Sequence, residues 1–204
     1  MTTEARFRIT DPGTFWSLQT IDQLGDFKFS DMQILEIHDD YLDTKKRRLL
    51  RAGYCCRRRK QDKGFLITFS ELGLKKNKES EKQQWEVKLN KNTVGPVEWP
   101  KSTAKTRISK IIPNKKLQVM FTFIQTRITR QIRTAKQPFA LAQLDDVLVI
   151  NNGEEQNFKI LALILEDPDQ IENLNSLVHT LEQKWSLKNE PMSKFERALK
   201  MESA

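Results

Sequence analysis

The sequence has few of the residues from which catalytic and metal-binding centres are most often built. It contains two cysteines and two histidines among 204 residues. The cysteines, Cys55 and Cys56, are neighbours, and neighbouring strand residues point to opposite faces, which argues against a disulfide or a zinc site. We expect buried free thiols, which behave as small hydrophobic groups. His38 and His179 lie far apart without metal-ligand spacing, which argues against a histidine-centred site.

Glycine-rich phosphate loops and long apolar runs are also absent from the sequence. The seven glycines are scattered, which excludes a P-loop or a Rossmann nucleotide site. No apolar run approaches the roughly 20 residues of a membrane-spanning helix. The segment Met1–Arg6 lacks the apolar core of a signal peptide. From these absences we expect a cytoplasmic protein that makes no membrane contact.

Basic residues, by contrast, are in excess, with a net charge of +8. Residues 45–60 contain nine basic side chains and no acidic one, and residues 127–136 contain four more. Such stretches attract anions, which include nucleic acid, acidic lipid headgroups and small polyphosphates. Tyr54 is the only aromatic residue in the first stretch, and no zinc-finger or helix-turn-helix pattern is present. These two observations disfavour nucleic acid as the partner.

Apolar periodicity predicts about eight strands with inserted helices, in one domain that spans residues 1–204. Strands are predicted at residues 4–9, 32–42, 84–89, 121–133, 139–150 and 158–165, with two more between 53 and 70. Helices are predicted at 12–24, 103–112 and 171–185 and from about 193 onward, and a solvated loop at 74–82. Antiparallel strands of this number suit a closed barrel, whose interior holds side chains or one small ligand.

Alternation along the strands places charged side chains on common faces. Arg57 and Arg59 share a face with Cys55, and Arg127 shares one with Gln125. One interpretation is that these polar faces meet solvent, as in an ordinary sandwich. The other is a barrel with a polar interior, where arginines converge on an anion because the planar guanidinium donates to two phosphate oxygens at once.

Seven short segments, in order along nearly the whole chain, together resemble the CYTH family of the triphosphate tunnel metalloenzyme superfamily. They are Glu4–Ile9, Tyr41–Thr44, Arg48–Tyr54, Arg57–Arg59, Leu66–Phe69, Gln84–Val87 and Ser193–Leu199. The resemblance implies an α+β, mainly β fold, an eight-stranded antiparallel β-barrel tunnel with flanking helices. Members of the family include inorganic triphosphatases, thiamine-triphosphatases and class IV adenylate cyclases, which use Mg²⁺ or Mn²⁺.

The resemblance also implies the roles of individual residues. The phosphate-binding residues that it implies are Arg6, Arg57, Arg59, Arg127 and Lys194. The acidic residues that it implies for a metal site are Glu4, Glu86 and Asp145. Other positions where the family has an acid are occupied by Thr2, Gln84, Leu141, Ile160, Ala162 and Ile164. We therefore predict a degraded Mg²⁺ or Mn²⁺ site.

Three functions remain open from the sequence. The first is a tunnel that binds a small polyanion (triphosphate, polyphosphate or a nucleotide) with weak or lost catalysis. The second is an active metal-dependent inorganic triphosphatase, or a thiamine-triphosphatase-like or adenylate cyclase-like enzyme, that uses Glu4, Glu86 and Asp145. The third is a non-catalytic scaffold with a closed tunnel, which requires the arginines to pair with acids because unpaired buried charge is costly. Arg58 is predicted to point away from the lumen and to contribute little to binding.

Overall fold

The structure, a computed structural model, describes residues 4–72, 83–113 and 115–201. The described residues form eleven strands and five α-helices. The strands are β1 (Glu4–Ile9), β2 (Gln23–Leu24), β3 (Phe27–Phe29), β4 (Gln33–Asp43), β5 (Tyr54–Lys60), β6 (Phe65–Glu71), β7 (Gln84–Leu89), β8 (Gln118–Arg133), β9 (Pro138–Asn151), β10 (Glu154–Leu165) and β11 (Lys188–Asn189). The helices are α1 (Pro12–Thr20), α2 (Arg48–Arg51), α3 (Thr103–Ile111), α4 (Ile171–Trp185) and α5 (Lys194–Met201). The predicted mainly β, antiparallel fold with flanking helices is confirmed.

The chain forms two compact units. The first unit contains the described residues of Met1–Glu36, Gln125–Val149 and Glu155–Ala204, and the second contains those of Ile37–Ile124 and Ile150–Glu154. Strands β4, β8, β9 and β10 contribute residues to both units. The single domain over residues 1–204 stays a prediction.

In the first unit the strand order is β11-β1-β10-β9-β8, and α1 and α4 contribute to its apolar core. Helix α1 begins where the Asp11 carboxylate accepts the backbone N–H of Thr14 at 2.6 Å. It ends at Thr20 instead of at residue 24 as predicted, because Gln23 and Leu24 leave the helix to pair with β3. The core residues of this unit include Phe7, Phe15, Leu18, Leu161, Leu163, Leu174 and Leu177.

In the second unit the strand order is β4-β5-β6-β7, and α3 packs against one face of this sheet. The Asp43 carboxylate organises α2, because it accepts the backbone N–H groups of Thr44, Leu49 and Leu50 at 2.6–2.9 Å. Ser102 caps α3 by accepting the backbone N–H of Lys105 at 3.2 Å. The core residues of this unit include Leu42, Cys56, Ile67, Phe69, Trp99 and Ile108.

The strand count differs from the prediction because β2, β3 and β11 are only two or three residues long. A strand of that length cannot show an alternating pattern in the sequence. In neither unit do the described strands close into a barrel, because the last strand in the order does not pair with the first. The closed eight-stranded barrel therefore stays a prediction. The predicted loop at 74–82 lies outside the described residues. Within the described ranges, no helix is long and apolar enough to cross a membrane.

Candidate anion-binding site

The register of β4, β5, β6 and β7 aligns a row of polar side chains across the second unit. Asp39 on β4 is paired with Arg59 on β5. Arg57 is paired with Thr68 on β6, and Thr68 is paired with Glu86 on β7. Side chains of paired residues project to the same face of a sheet. The predicted common face of Arg57 and Arg59 therefore also presents Asp39, Thr68 and Glu86.

Asp39 lies at the β4 end of this row and is 1% exposed. Its two carboxylate oxygens accept hydrogen bonds from Nε and Nη2 of Arg59, each at 2.7 Å. Nη1 of Arg57 lies 3.8 Å from Oδ2 of the same carboxylate. We call Asp39, Arg57, Arg59 and Thr68 the Asp39 cluster. Two guanidinium groups face one carboxylate, which leaves a net positive charge.

Arg57 is held less firmly than Arg59. Its Nη2 donates a hydrogen bond of 3.3 Å to the Thr68 hydroxyl, whereas its Nε is buried and has no hydrogen-bond partner among the described residues. The side chain is 27% exposed. A buried N–H donor without an acceptor is unfavourable. An anion that reached this guanidinium would supply the missing acceptor, because phosphate oxygens accept strong charge-assisted hydrogen bonds from arginine.

Arg58 lies on the opposite face of β5, as the alternation requires, but it is buried. Its Nε and Nη2 donate to Oδ2 of Asp40 at 3.2 and 2.6 Å, and its guanidinium lies over the ring of Phe65. The other oxygen of Asp40 accepts the Thr122 hydroxyl at 2.8 Å. The prediction that Arg58 contributes little to anion binding stays untested. Because Arg58 is buried, however, its removal will also affect stability.

The first unit contains a second group of the same kind around Asp145, which is 2% exposed. Nε and Nη2 of Arg127 donate to its two oxygens at 2.7 and 3.0 Å. Nζ of Lys194 donates to Oδ2 of Asp145 at 2.6 Å and to Oε1 of Gln125 at 2.8 Å. We call Asp145, Arg127, Lys194 and Gln125 the Asp145 cluster. Its two cations and one carboxylate also leave a net positive charge.

Ionisation of Asp145 is decided by two opposing effects. Burial disfavours the charged carboxylate and would raise its pKa. The hydrogen bond from Arg127 and the charges of Lys194 and Arg127 outweigh burial, so the pKa of Asp145 lies below its usual value. Asp145 is therefore a carboxylate at neutral pH.

Arg6 and Glu4 pair with each other on β1. Nε and Nη2 of Arg6 donate to the two carboxylate oxygens of Glu4 at 2.6 and 2.9 Å. This hydrogen bonding raises the pKa of Arg6, although burial opposes it. Both side chains are partly exposed, at 33% and 25%. A pair with this exposure contributes little to stability.

Buried hydroxyl and thiol groups lie beside the Asp39 cluster. Tyr41 is paired with Arg57, and its ring packs against Phe121 and Phe123 at centroid distances of 4.9 and 4.8 Å. Burial raises the pKa of Tyr41 and raises that of Cys55 to about 12. Both groups are therefore neutral at pH 7, and neither is an activated nucleophile. The predicted free, buried thiols are confirmed for Cys55 and Cys56.

The sequence profile of the CYTH domain matches residues 1–198. The chain belongs to the CYTH domain family. No protein among the curated sequences matches it.

Two solved structures resemble this CYTH domain over almost the whole chain. One is a candidate adenylyl cyclase from Hippeastrum with a dominant triphosphatase activity, at 16% identity, with 98% of this chain and 96% of that chain covered and a TM-score of 0.65. Another is a candidate adenylate cyclase from Bacillus halodurans, at 16% identity, with 97% and 96% covered and a TM-score of 0.59. At this level of identity the similarity shows the fold.

The CYTH family implies a divalent metal, but the candidate ligands do not fit one in this arrangement. Glu4 is bound to Arg6, and both oxygens of Asp145 accept from basic side chains. Oε1 of Glu86 accepts from Gln84 at 3.0 Å and from Thr68 at 3.4 Å. In the part of the chain that the structure describes, no three His, Cys, Asp or Glu side chains are grouped for a metal. Mg²⁺ prefers several oxygen ligands in near-octahedral geometry, and here the oxygens of Glu4 and Asp145 accept from arginine and lysine instead.

Three buried aspartates of this CYTH domain have roles that were not predicted from the sequence, and all three lie on β4. Asp39 faces Arg57 and Arg59, Asp40 binds Arg58, and Asp43 caps α2. Their signal was the presence of acids in a strand otherwise rich in apolar residues, next in sequence to a strongly basic strand. Buried carboxylates require cationic or N–H partners, so acids in such a strand indicate pairing with a basic neighbour.

Proposed function

We propose that this CYTH domain binds a small polyanion of the triphosphate class, which includes triphosphate, polyphosphate and nucleotides, and that its catalysis is weak or lost. The observation that carries the proposal is the state of Arg57. This partly exposed guanidinium has a buried Nε without an acceptor among the described residues, while its neighbour Arg59 is held at fixed geometry.

The spacing of the two arginines suits a phosphate chain. Arg57 and Arg59 lie two residues apart on one strand face, which corresponds to about 6.6 Å along the strand. Guanidinium groups at this separation can hold neighbouring phosphates of one chain, because each group donates to two oxygens at once. The excess positive charge of the Asp39 cluster favours an anion, and this attraction weakens with rising salt.

Arg6, Arg127 and Lys194 complete the phosphate-binding set that the family resemblance implies. Each already donates to a carboxylate, namely Glu4 or Asp145. A guanidinium has five N–H donors, so the two hydrogen bonds to one carboxylate do not exhaust those of Arg6 or Arg127. Lys194 is included because the family resemblance implies it. We keep all three as proposed phosphate-binding residues, with Arg57 and Arg59 as the principal ones.

Metal-dependent hydrolysis is the less favoured alternative. It requires carboxylates whose oxygens are available to Mg²⁺ or Mn²⁺. Asp145 and Glu4 instead neutralise the basic residues beside them, and Glu86 accepts from Gln84 and Thr68. A phosphate-release assay with tripolyphosphate and either metal between pH 7 and 10 separates the two functions, because binding alone releases no phosphate.

Calorimetry with tripolyphosphate in EDTA and low salt tests the proposal directly. We expect binding without metal, and a loss of about tenfold or more in affinity for Arg57→Ala, in line with a charge-assisted contact of about 1.5–3 kcal/mol. Lys46→Ala is the matched control, since Lys46 is an exposed cation of the same basic stretch. Equal losses for the two variants would mean that binding is a surface-charge effect.

A closed-tunnel scaffold is the third function, and the acidic partners of the basic residues favour it. Arg59 is bound to Asp39, Arg127 and Lys194 are bound to Asp145, and Arg6 is bound to Glu4. Such pairing removes much of the penalty for burying these charges. Absence of both calorimetric heat and a thermal shift with tripolyphosphate at low salt would decide for the scaffold.

A further inference from the structure

Asp39 is a buried carboxylate that contacts both of the principal arginines. It forms two hydrogen bonds of 2.7 Å with Arg59 and lies 3.8 Å from Arg57. Its side chain is 1% exposed, whereas the two arginine side chains are 26% and 27% exposed. The carboxylate therefore lies beneath the guanidinium groups, and an anion arriving from solvent meets the arginines first.

We infer that Asp39 is a positioning residue for anion binding, which fixes the guanidinium of Arg59 and keeps that of Arg57 beside it so that both can bind one phosphate chain. The inference rests on the proposed function. Asp39 itself does not contact the anion. Asp39 acts through the arginines. In the same way, a carboxylate that lies behind a metal-binding side chain orients that side chain for the metal.

Two physical effects give Asp39 this role. Two guanidinium groups on one strand face repel each other, and the carboxylate between them offsets that repulsion. The two-point contact with Arg59 also restricts its rotamers before a ligand arrives. Less side-chain entropy then remains to be lost on binding, and this loss is about 0.5–1.5 kcal/mol for a long side chain.

The direction in which Asp39→Asn changes the affinity for tripolyphosphate separates a positioning role from an effect of net charge alone. Asp39→Asn removes one negative charge and makes the cluster more positive. If only the net charge mattered, the substitution would tighten the binding of tripolyphosphate. If Asp39 positions the arginines, the substitution weakens binding in spite of the added positive charge.

Asp40 provides a matched control because it is the next residue on the same strand. It is also buried and also binds an arginine, Arg58, but on the opposite face of the sheet. Asp40→Asn therefore reproduces the loss of a buried carboxylate without touching Arg57 or Arg59. If Asp39 had a merely structural role, Asp39→Asn and Asp40→Asn would change the affinity for tripolyphosphate by the same factor.

The experiment measures the affinity for tripolyphosphate by calorimetry in EDTA and low salt, together with the urea-unfolding midpoint of each variant. We expect Asp39→Asn to weaken binding by about tenfold or more, and Asp40→Asn to stay within about twofold of the parent despite a lower midpoint. Unchanged or tighter binding by folded Asp39→Asn overturns the inference, as does an equal loss in both variants.

A double variant covers the case in which Asp39→Asn does not fold. Asp39→Asn/Arg59→Gln removes both partners of the ion pair, which is better tolerated than removing one. If Asp39 acts through Arg59, this double variant binds tripolyphosphate as well as Arg59→Gln alone, within about twofold. A further tenfold loss in the double variant overturns the inference. Failure of the parent protein to bind instead refutes the proposed function, so the two failures are distinguishable.

Discussion

The Asp39 and Asp145 clusters share one charge pattern, a buried aspartate with two cations, and differ in how closely the second cation approaches the carboxylate. Each has a buried aspartate that binds one arginine through two hydrogen bonds and faces a second cation. In the Asp145 cluster the second cation, Lys194, is 2.6 Å from the carboxylate and also binds Gln125. In the Asp39 cluster the second cation, Arg57, stays 3.8 Å away and keeps a buried donor without an acceptor among the described residues.

This difference leads us to expect different roles for the two clusters. In the Asp145 cluster both cations contact the carboxylate closely, and these contacts connect β8, β9 and α5. The looser contact of Arg57 leaves hydrogen-bonding capacity that a ligand can use. Removal of charge from the Asp145 cluster should therefore affect mainly stability, and removal from the Asp39 cluster should affect mainly binding.

The largest expected effect on stability comes from Asp145→Ala. It leaves the Arg127 and Lys194 side chains, which are 21% and 23% exposed, without their carboxylate. We expect a loss of about 3–4 kcal/mol in the free energy of unfolding, measured with urea. Asp146→Ala is the control, because its partly exposed carboxylate binds Lys159 and should contribute about 1 kcal/mol or less. Similar losses for both variants would contradict the special role of the Asp145 cluster.

A comparison of Arg58→Ala with Arg57→Ala tests the two faces of β5. Arg58→Ala leaves the buried carboxylate of Asp40 without its cation, so we expect about 3 kcal/mol of destabilisation. Arg57→Ala should cost about 1 kcal/mol or less, because Arg57 is partly exposed and held by one long hydrogen bond.

Tripolyphosphate affinity should show the reverse order for these two variants. Folded Arg58→Ala should bind within about twofold of the parent, whereas Arg57→Ala should lose about tenfold or more. The measurements are urea unfolding and calorimetry on the same preparations. If Arg58→Ala loses affinity as Arg57→Ala does, the two faces are not functionally distinct.

The smallest effect is a dependence of stability on acid pH that comes from Asp145. Its pKa in the folded protein lies below the unfolded value of about 3.9. A depressed pKa stabilises the fold above the unfolded value, and this contribution is lost as pH falls through the folded value. The stability difference between the parent and Asp145→Asn should thus be constant above about pH 5 and shrink below about pH 4. A difference that does not change down to pH 2.5 would show that the carboxylate is not preferentially stabilised in the fold.

Much of the fold was predictable because strand alternation and helix capping are local. The pattern at residues 84–89 predicted β7 with the bounds that the structure has, and the Thr103–Ile111 helix was placed to within one residue. The end of α1 was not predicted, since the pairing of Gln23 and Leu24 with β3 competes with helical propensity. The candidate arginines were identified from the family resemblance, and so were Glu4 and Asp145, although chiefly as acids of a metal site. Asp39, the partner of Arg59, was not identified.

The sequence by itself determined the faces of the strands. Residues two apart on a strand point the same way, so Arg57 and Arg59 had to share a face and Arg58 had to lie on the other. Only the tertiary structure decided which carboxylate each cation meets. Asp39 is 20 residues from Arg59, and Asp145 is 49 residues from Lys194. These pairs depend on strand register and on the docking of α5, and register is set by packing and turn geometry along whole strands.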